Sequence, residues 1–350
     1  MLLEIKLALL LAVAPADPGA IREAIQGLPD ETATAALVRV NGQTHTSGYA
    51  DVTARTKVAK TTRFRIGSIT KTFIAAAALQ LVHEGALRLD DPVLTKDGKQ
   101  ITLRHLLTHT SGLSRASVRV DDPRWYLKHR FDTYTPAELL KPALAAPLDF
   151  EPGTRQQYNN ADYMLAAQAI ERATGRPYGQ VITERVIEPL RLAATSVPGT
   201  ASRLPEPYTR GYVRIGERLV DVTRQNPSVA WGSGEMISNA PDLDRFIRAL
   251  FRGQVVKGAE LAAMFTIPDV PAFGPGCPGP KACMGMGLQS ATSGGITVWG
   301  HVGERPGYAS GVFATKDLAL RLVYLVNSTE WSPKGGSPAV VQKIYAAVGG

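Results

Sequence analysis

RFRIGSITKTFIAAAALQLVHEGAL, residues 63–87, holds a helix with almost no polar side. Phe73, Ile74, Ala75, Ala76, Ala77, Ala78, Leu79, Leu81 and Val82 make it apolar nearly all round, so it belongs inside a core and not on one. The predicted helix covers 68–84, and Gly85 stops it as a residue free to turn left-handed. Ser68 and Lys71 stand at i and i+3, on one helical face. That face opens at the helix N-terminus, where unpaired N–H groups and the dipole favour negative charge. A serine that must pass through an oxyanion is well placed there.

The chain around this helix has 350 residues, enough for one large domain or two. Its 44% hydrophobic and 20% charged content describe an ordinary globular protein. The net charge of +8 comes mostly from dispersed arginines. The absence of a long basic run argues against nucleic acid as a partner. The N-terminus, MLLEIKLALLLAVAPAD, resembles a short export signal. Residues 7–13 form a brief apolar run, and Ala14-Pro15-Ala16 fits a small-x-small cleavage site, although Glu4 departs from the pattern. Residues 1–18 are therefore expected to be a leader and the protein to be extracytoplasmic. The alternative is a frayed N-terminal helix on a cytoplasmic protein. No later apolar run reaches the ~18 residues needed to span a bilayer, so no transmembrane segment is expected. Cys277 and Cys283 lie in a Pro/Gly-rich loop, FGPGCPGPKACMG, without a CxxC or a nearby His, so a metal site is not expected. In an exported protein the two would close a small disulfide loop; in the cytosol they would be free thiols.

Residues 36–48 predict a hairpin, with Asn41-Gly42 as a type I′ turn between extended runs. The C-terminal part matches it, with strand-like runs at 295–300, 308–314 and 318–327, then a closing helix in AVVQKIYAAVGG. Between these ends the pattern is helical, with helices expected at 101–109, 136–146, 160–174, 178–187, 240–252 and 258–265 and almost no strand. The expected fold class is α/β in the α+β sense. One antiparallel sheet with terminal helices is built from 19–66 and 284–350. A mostly helical domain at 67–283 carries the Ser68 helix at the junction, where active sites tend to form.

A serine hydroxyl is a poor nucleophile at neutral pH. A lysine one turn away, desolvated against an apolar helix, can have a lowered pKa and take the proton. In RQQYNNADYML, Tyr158 and Asn160 form a YxN just before a helix. A tyrosine can carry a proton to a leaving group if a cation such as Lys71 lowers its pKa. The asparagine amide can hold both Lys71 and a substrate amide. In WGHVGERPGY, His301 and Gly303 are expected at the end of a strand whose glycines admit a close backbone. His83-Glu84-Gly85 has the same HxG spacing, so position on a strand does the sorting.

In this order, SITK, YNN and HVG resemble the β-lactamase-like serine hydrolases: DD-carboxypeptidases, class C β-lactamases and related esterases and transacylases. LLTHTSGL at 106–113 and AWGSGEMISNAPDL at 230–243 extend the resemblance to most of the chain. The related SxxK signature is a known one. The resemblance implies a β-lactamase/DD-peptidase-like fold, Ser68 as acylated nucleophile, Lys71 as its proton partner and Tyr158 as general acid/base. It gives Asn160 the positioning of Lys71 and substrate, and puts His301 where many relatives carry a lysine. The backbone N–H groups of Ser68 and Glu304 would form the oxyanion hole. No metal and no organic cofactor are implied, and the partner is a small-molecule or peptide-like acyl substrate, met by a monomer.

Two departures bear on the substrate. Carboxypeptidases of this kind grip a substrate carboxylate with hydroxyl residues around the HxG and an arginine earlier on the hairpin. Here Val302 and Glu304 flank Gly303, and GMGLQSATSGG offers Gln289 and no arginine. Glu304 is expected to face the place of that carboxylate and repel it, while Arg305 points to the other sheet face. An esterase, amidase, aminopeptidase or transacylase therefore fits better than a D-Ala-D-Ala carboxypeptidase. A carboxypeptidase or β-lactamase proper, or a catalytically silent penicillin-binding sensor, is the alternative. The aperiodic segment 114–135, with Trp125 among Arg124, Tyr126, Lys128 and Arg130, is expected at the cleft mouth or as a surface loop. Trp231 is a cleft-lining or core aromatic.

Overall fold

The computed structural model describes residues 17–118, 122–274, 276–293, 295–331 and 337–349. The leader expectation for 1–18 lies almost entirely outside them, but Asp17 caps a first helix, α1 (Pro18–Ile25), through bonds to the Gly19 and Ala20 amides. The hairpin is longer than its predicted 36–48: β1 (Ala33–Val40) and β2 (Gln43–Asp51) flank Asn41 and Gly42, which have φ of 47° and 93°, as a type I′ turn demands. The short β3 (Thr56–Lys57) and β4 (Phe64–Arg65) lead to a 3₁₀ turn, Gly67–Ile69, and then α2 (Thr70–His83). α2 buries Lys71, Phe73, Ile74, Ala75, Leu79 and Leu81, with Phe73 stacked on Phe246 at 3.8 Å between centroids. Each large apolar side chain so buried is worth about 1.5–3 kcal/mol.

The middle of the chain holds more strand than expected. β5 (Pro92–Lys96) and β6 (Lys99–Thr102) form a ribbon that takes the first two residues of the predicted 101–109 helix, leaving α3 (Leu103–Leu107). The 114–135 segment contains α4 (Pro123–His129), capped by Asp122, a start signal that outweighs its lack of periodicity. Then come α5 (Pro136–Ala145), α6 (Asn160–Thr174) and α7 (Tyr178–Ile182), the last running into one π-helical turn, Thr183–Ile187. A second ribbon, β7 (Tyr212–Ile215) with β8 (Arg218–Asp221), precedes β9 (Ile237–Ser238), which pairs with β4. α8 (Ala240–Phe251) and α9 (Gly258–Met264) follow. Cys277 and Cys283 form a disulfide, which closes a small loop worth about 2 kcal/mol on loop entropy.

The last segment returns to the sheet as β10 (Gln289–Ser293), β11 (Ile296–Arg305), β12 (Tyr308–Thr315) and β13 (Arg321–Ser328), and ends in α10 (Ala339–Gly349). The order is β10-β11-β12-β13-β1-β2-β3, antiparallel at each pairing. β10 was not foreseen, and β11 continues past Gly300 to Arg305, so His301 and Gly303 lie within the strand and not at its end. Pairing with β12 as far as Arg305↔Tyr308 carries it there. Alternation splits the sheet's residues between two cores. Ala36, Val38, Val302 and Tyr324 pack with Ile21 and Ile25 of α1 and Val341 and Ile344 of α10. Ala35, Leu37, Val312 and Leu325 pack with α2 and α8. Among the described residues no helix is long and apolar enough to cross a membrane.

Candidate active site

Ser68 sits in the 3₁₀ turn that opens α2, partly exposed, while Lys71 is fully buried. The Lys71 ammonium donates to Ser68 Oγ at 3.1 Å, Asn160 Oδ1 at 2.9 Å and the Ser233 carbonyl at 2.7 Å. In the neutral amine two N–H bonds serve Asn160 and Ser233, and the lone pair is left for the Ser68 hydroxyl. Burial pushes its pKa well below the usual lysine range, against the pull of Asp162. Tyr158 shares a hydrogen bond with Ser68, and burial raises its pKa, with Glu304 adding to the rise and Arg115 opposing it. The sequence-based expectation that Lys71 lowers the Tyr158 pKa is therefore reversed in net direction. Desolvation dominates, against the Ser68 hydrogen bond, and at neutral pH the phenol keeps its proton. The Lys71 nitrogen lies 4.9 Å from the centre of the Tyr158 ring.

Asn160 is the first residue of α6, whose cap Asn159 accepts from the Ala161 amide. His301 is buried with Nδ1 2.5 Å from the Val302 carbonyl. A carbonyl only accepts, so Nδ1 carries the proton and Nε2 is an acceptor. Burial and the Lys71 charge push the His301 pKa down to about 3, so the ring is neutral, unlike a lysine at that place. Its ring lies 6.0 Å from that of Tyr158.

Two glycines let the sheet meet the Ser68 turn. Gly67 has φ of +51°, and a Cβ on it would stand 2.4 Å from the Glu304 amide nitrogen. A Cβ on Gly303 would stand 1.9 Å from the Ile66 carbonyl oxygen. Ser310 ties the two segments by donating to Ile66 O at 2.9 Å. The Glu304 amide is thus held beside the Ser68 turn, where an oxyanion hole built from these two residues would need it.

The Glu304 side chain departs from expectation. Alternation along β11 puts it on the sheet face of Val302, toward Tyr324, Tyr345 and Glu330, and not on the face of Gly303. Burial, then Glu330, raises its pKa to about 8. It is mostly uncharged at pH 7, so the repulsion expected of it is largely absent there. Arg305 points the other way and donates to Gln225 Oε1 at 2.8 Å. Gln289 is buried at the start of β10, opposite Gly300. Trp231 stands edge-on to Tyr178 and lines a side pocket of about 360 Å³ with Tyr178, Glu171 and Glu235. None of Ser68, Lys71, Tyr158, Asn160 or His301 lines it. Trp125 stacks on His129 at 4.6 Å, within its own segment.

Several site neighbours escape sequence reading. Ser233 holds Lys71 through a backbone carbonyl, and its turn is tied by the Gly232 amide donating to Glu235 Oε1 at 3.1 Å. His109 and Asp162, from LLTHTSGL and YNNADY, lie buried behind Tyr158. LLTHTSGL carries the family resemblance, but neither stretch signals a contact between His109 and Asp162. Among the described residues no group of three or more His, Cys, Asp or Glu could hold a metal ion.

A serine at a helix mouth, bonded to a buried lysine and a buried tyrosine beside a sheet edge, defines a class of acyl-transfer folds. The chain belongs to the Beta-lactamase family, whose model matches residues 21–346. It is similar to a D-stereospecific amidohydrolase from Streptomyces sp., with 35% identity and a TM-score of 0.80 over 94% of this chain and 97% of that one. It is also similar to a D-amino acid amidase from Ochrobactrum anthropi SV3, with 26% identity and a TM-score of 0.80 over 94% and 97%. Esterase EstB of Burkholderia gladioli is 35% identical over 182 residues, 47% of this chain and 46% of that protein. The chain spans 46–65% of the lengths of the first curated relatives that it matches.

Proposed function

We propose that the protein is a serine hydrolase that forms an acyl-enzyme at Ser68 and cleaves amides or esters. The observation that carries this is the 3.1 Å bond from a fully buried lysine to the Ser68 hydroxyl. Lys71, held toward its neutral form by burial, accepts the Ser68 proton as Oγ attacks the carbonyl carbon. The Ser68 and Glu304 amides receive the resulting oxyanion. Tyr158 gives its proton to the leaving nitrogen or oxygen and recovers one from Lys71. Water, or an amine in the same place, then attacks the ester at Ser68 and reverses these transfers. Asn160 and neutral His301 orient Lys71 and Tyr158.

The amidases and the esterase among the relatives support an amide or ester substrate without a required carboxylate. The disulfide supports an oxidising, extracytoplasmic setting.

A fluorophosphonate is expected to label one serine, found by mass spectrometry in the 66–71 tryptic peptide. A label elsewhere, or none, overturns the assignment. Glu304 yields a second expectation, with a defined sign. Its carboxyl, with a pKa of about 8, gains its negative charge as pH rises through 8. At an effective dielectric of ~20 that charge repels a substrate carboxylate across the sheet by less than the roughly 4 kcal/mol of a pair ~4 Å apart. The kcat/KM ratio of a free-acid peptide to its methyl ester should fall between pH 7 and 9 in the wild type and stay flat in Glu304→Gln. A flat ratio in both removes Glu304 from substrate selection.

A further inference from the structure

Lys71 is buried, yet the mechanism makes it gain a proton. The titratable groups around it, among the described residues, are Asp162 on α6, His109 after α3, His301 on β11, and Tyr158 and Tyr163. Burial drives both histidines and both tyrosines toward their neutral forms. Burial raises the Asp162 pKa as well, while the Ser111 hydrogen bond and the Lys71 charge favour its carboxylate; it is the one carboxyl group among them.

Two side chains hold its carboxyl group in place. Asp162 is 0% exposed; its Oδ1 accepts from Ser111 Oγ at 2.5 Å and its Oδ2 lies 2.9 Å from His109 Nδ1. The His109 ring lies 4.7 Å from the Tyr158 ring and 5.0 Å from the Tyr163 ring. Lys71 approaches the same two rings, at 4.9 and 5.8 Å. The carboxylate network and the lysine therefore share a wall of two tyrosines. Asp162 also lies in the first turn of α6, which offers its Asn160 amide to Lys71.

We propose that Asp162 is a positioning residue for acylation: clamped by Ser111 and His109, it supplies the buried negative charge against which Lys71 takes the Ser68 proton. The inference rests on the Ser68 acyl-enzyme reading. It assigns a role to the HTSG stretch, residues 109–112, that the reaction itself does not use. During acylation the proton leaving Ser68 Oγ turns Lys71 into an ammonium, and Asp162 stabilises that charge until Tyr158 has passed its own proton to the leaving group and taken this one. Burial works against both charges, and each sustains the other.

Asp162→Asn keeps the shape: its amide oxygen accepts from Ser111, and its NH₂ donates to a neutral His109. Without the negative charge Lys71 loses its proton more readily, so the kcat/KM pH profile should move to lower pH by about one unit. The acylation burst should slow by about tenfold or more with KM little changed. Ser111→Ala removes one of the two bonds to the carboxylate and should move the profile the same way by less. Ser68 labelling by the fluorophosphonate counts competent sites in each protein, so a wild type that does not label points to failure of the acyl-enzyme reading, not of this one. A labelled Asp162→Asn protein with an unmoved profile, or one moved to higher pH, overturns the proposal whatever its absolute rate. If Asp162→Asn does not fold, the direction of the Ser111→Ala shift decides.

Discussion

Ser68→Ala loses all covalent labelling by a fluorophosphonate and lowers kcat/KM on esters and amides by about 10³-fold or more, the range seen when a nucleophile is removed from a concerted set. The hydroxyl makes no contact on which the core depends. Lys71 keeps its bonds to Asn160 Oδ1 and Ser233 O at 2.9 and 2.7 Å, and the two hydrogen bonds that Ser68 shares with Lys71 and Tyr158 are lost at a partly exposed position. Together they cost about 1–3 kcal/mol of stability. Labelling and turnover measured with an unfolding curve separate chemistry from folding. Undiminished turnover in the variant would place the nucleophile elsewhere.

Tyr158→Phe separates substrates by their leaving groups. The ring and its packing against His109, 4.7 Å away, survive; only the hydroxyl shared with Ser68 goes. An amide nitrogen must be protonated to leave, and a positioned acid supplies about 10²–10⁴-fold of rate. A p-nitrophenyl ester leaves without that proton. Acylation of an anilide or peptide amide should therefore fall by about 10²-fold or more beyond any loss on the activated ester. Equal losses on both remove Tyr158 from the general-acid role.

The sequence makes the α2 helix legible because nine apolar residues leave it nowhere to go but the core, and Asn41-Gly42 marks its hairpin because few dipeptides accept two positive φ angles. Ser68 and Lys71 are legible at the mouth of an apolar helix, Tyr158 and Asn160 through the resemblance that YNN carries, and the structure brings them into contact. β10 and the second half of β11 are not legible. QSATS and HVGER lack the β-branched alternation of a free-standing strand and are extended by their neighbours. The partners of Lys71 are hidden for a different reason. Ser233 contributes a backbone carbonyl, which no residue type signals. Glu304 reads as a charge because glutamate normally is one; the sheet face it takes, and Glu330 beside it, decide that it is largely neutral at pH 7. The Trp125 segment reads as aperiodic, at the cleft mouth or as a surface loop, because the capping of Asp122 and Pro123 makes its helix too short to show a period.

The pairing of β1 with β13 and the bond from Ser310 to the Ile66 carbonyl, across 244 residues, also set when the protein can work. A ribosome delivers the nucleophile helix early and the strand with the Glu304 amide late. Until that strand arrives, α2 is an unusually greasy segment without its cover, and Ser68 has no second amide beside it. Contacts so distant along the chain form slowly and leave apolar surface open for aggregation or chaperones in the meantime. The same order gives a safeguard: a half-made chain carries the serine and the lysine, but not the groove that would turn them on a passing ester.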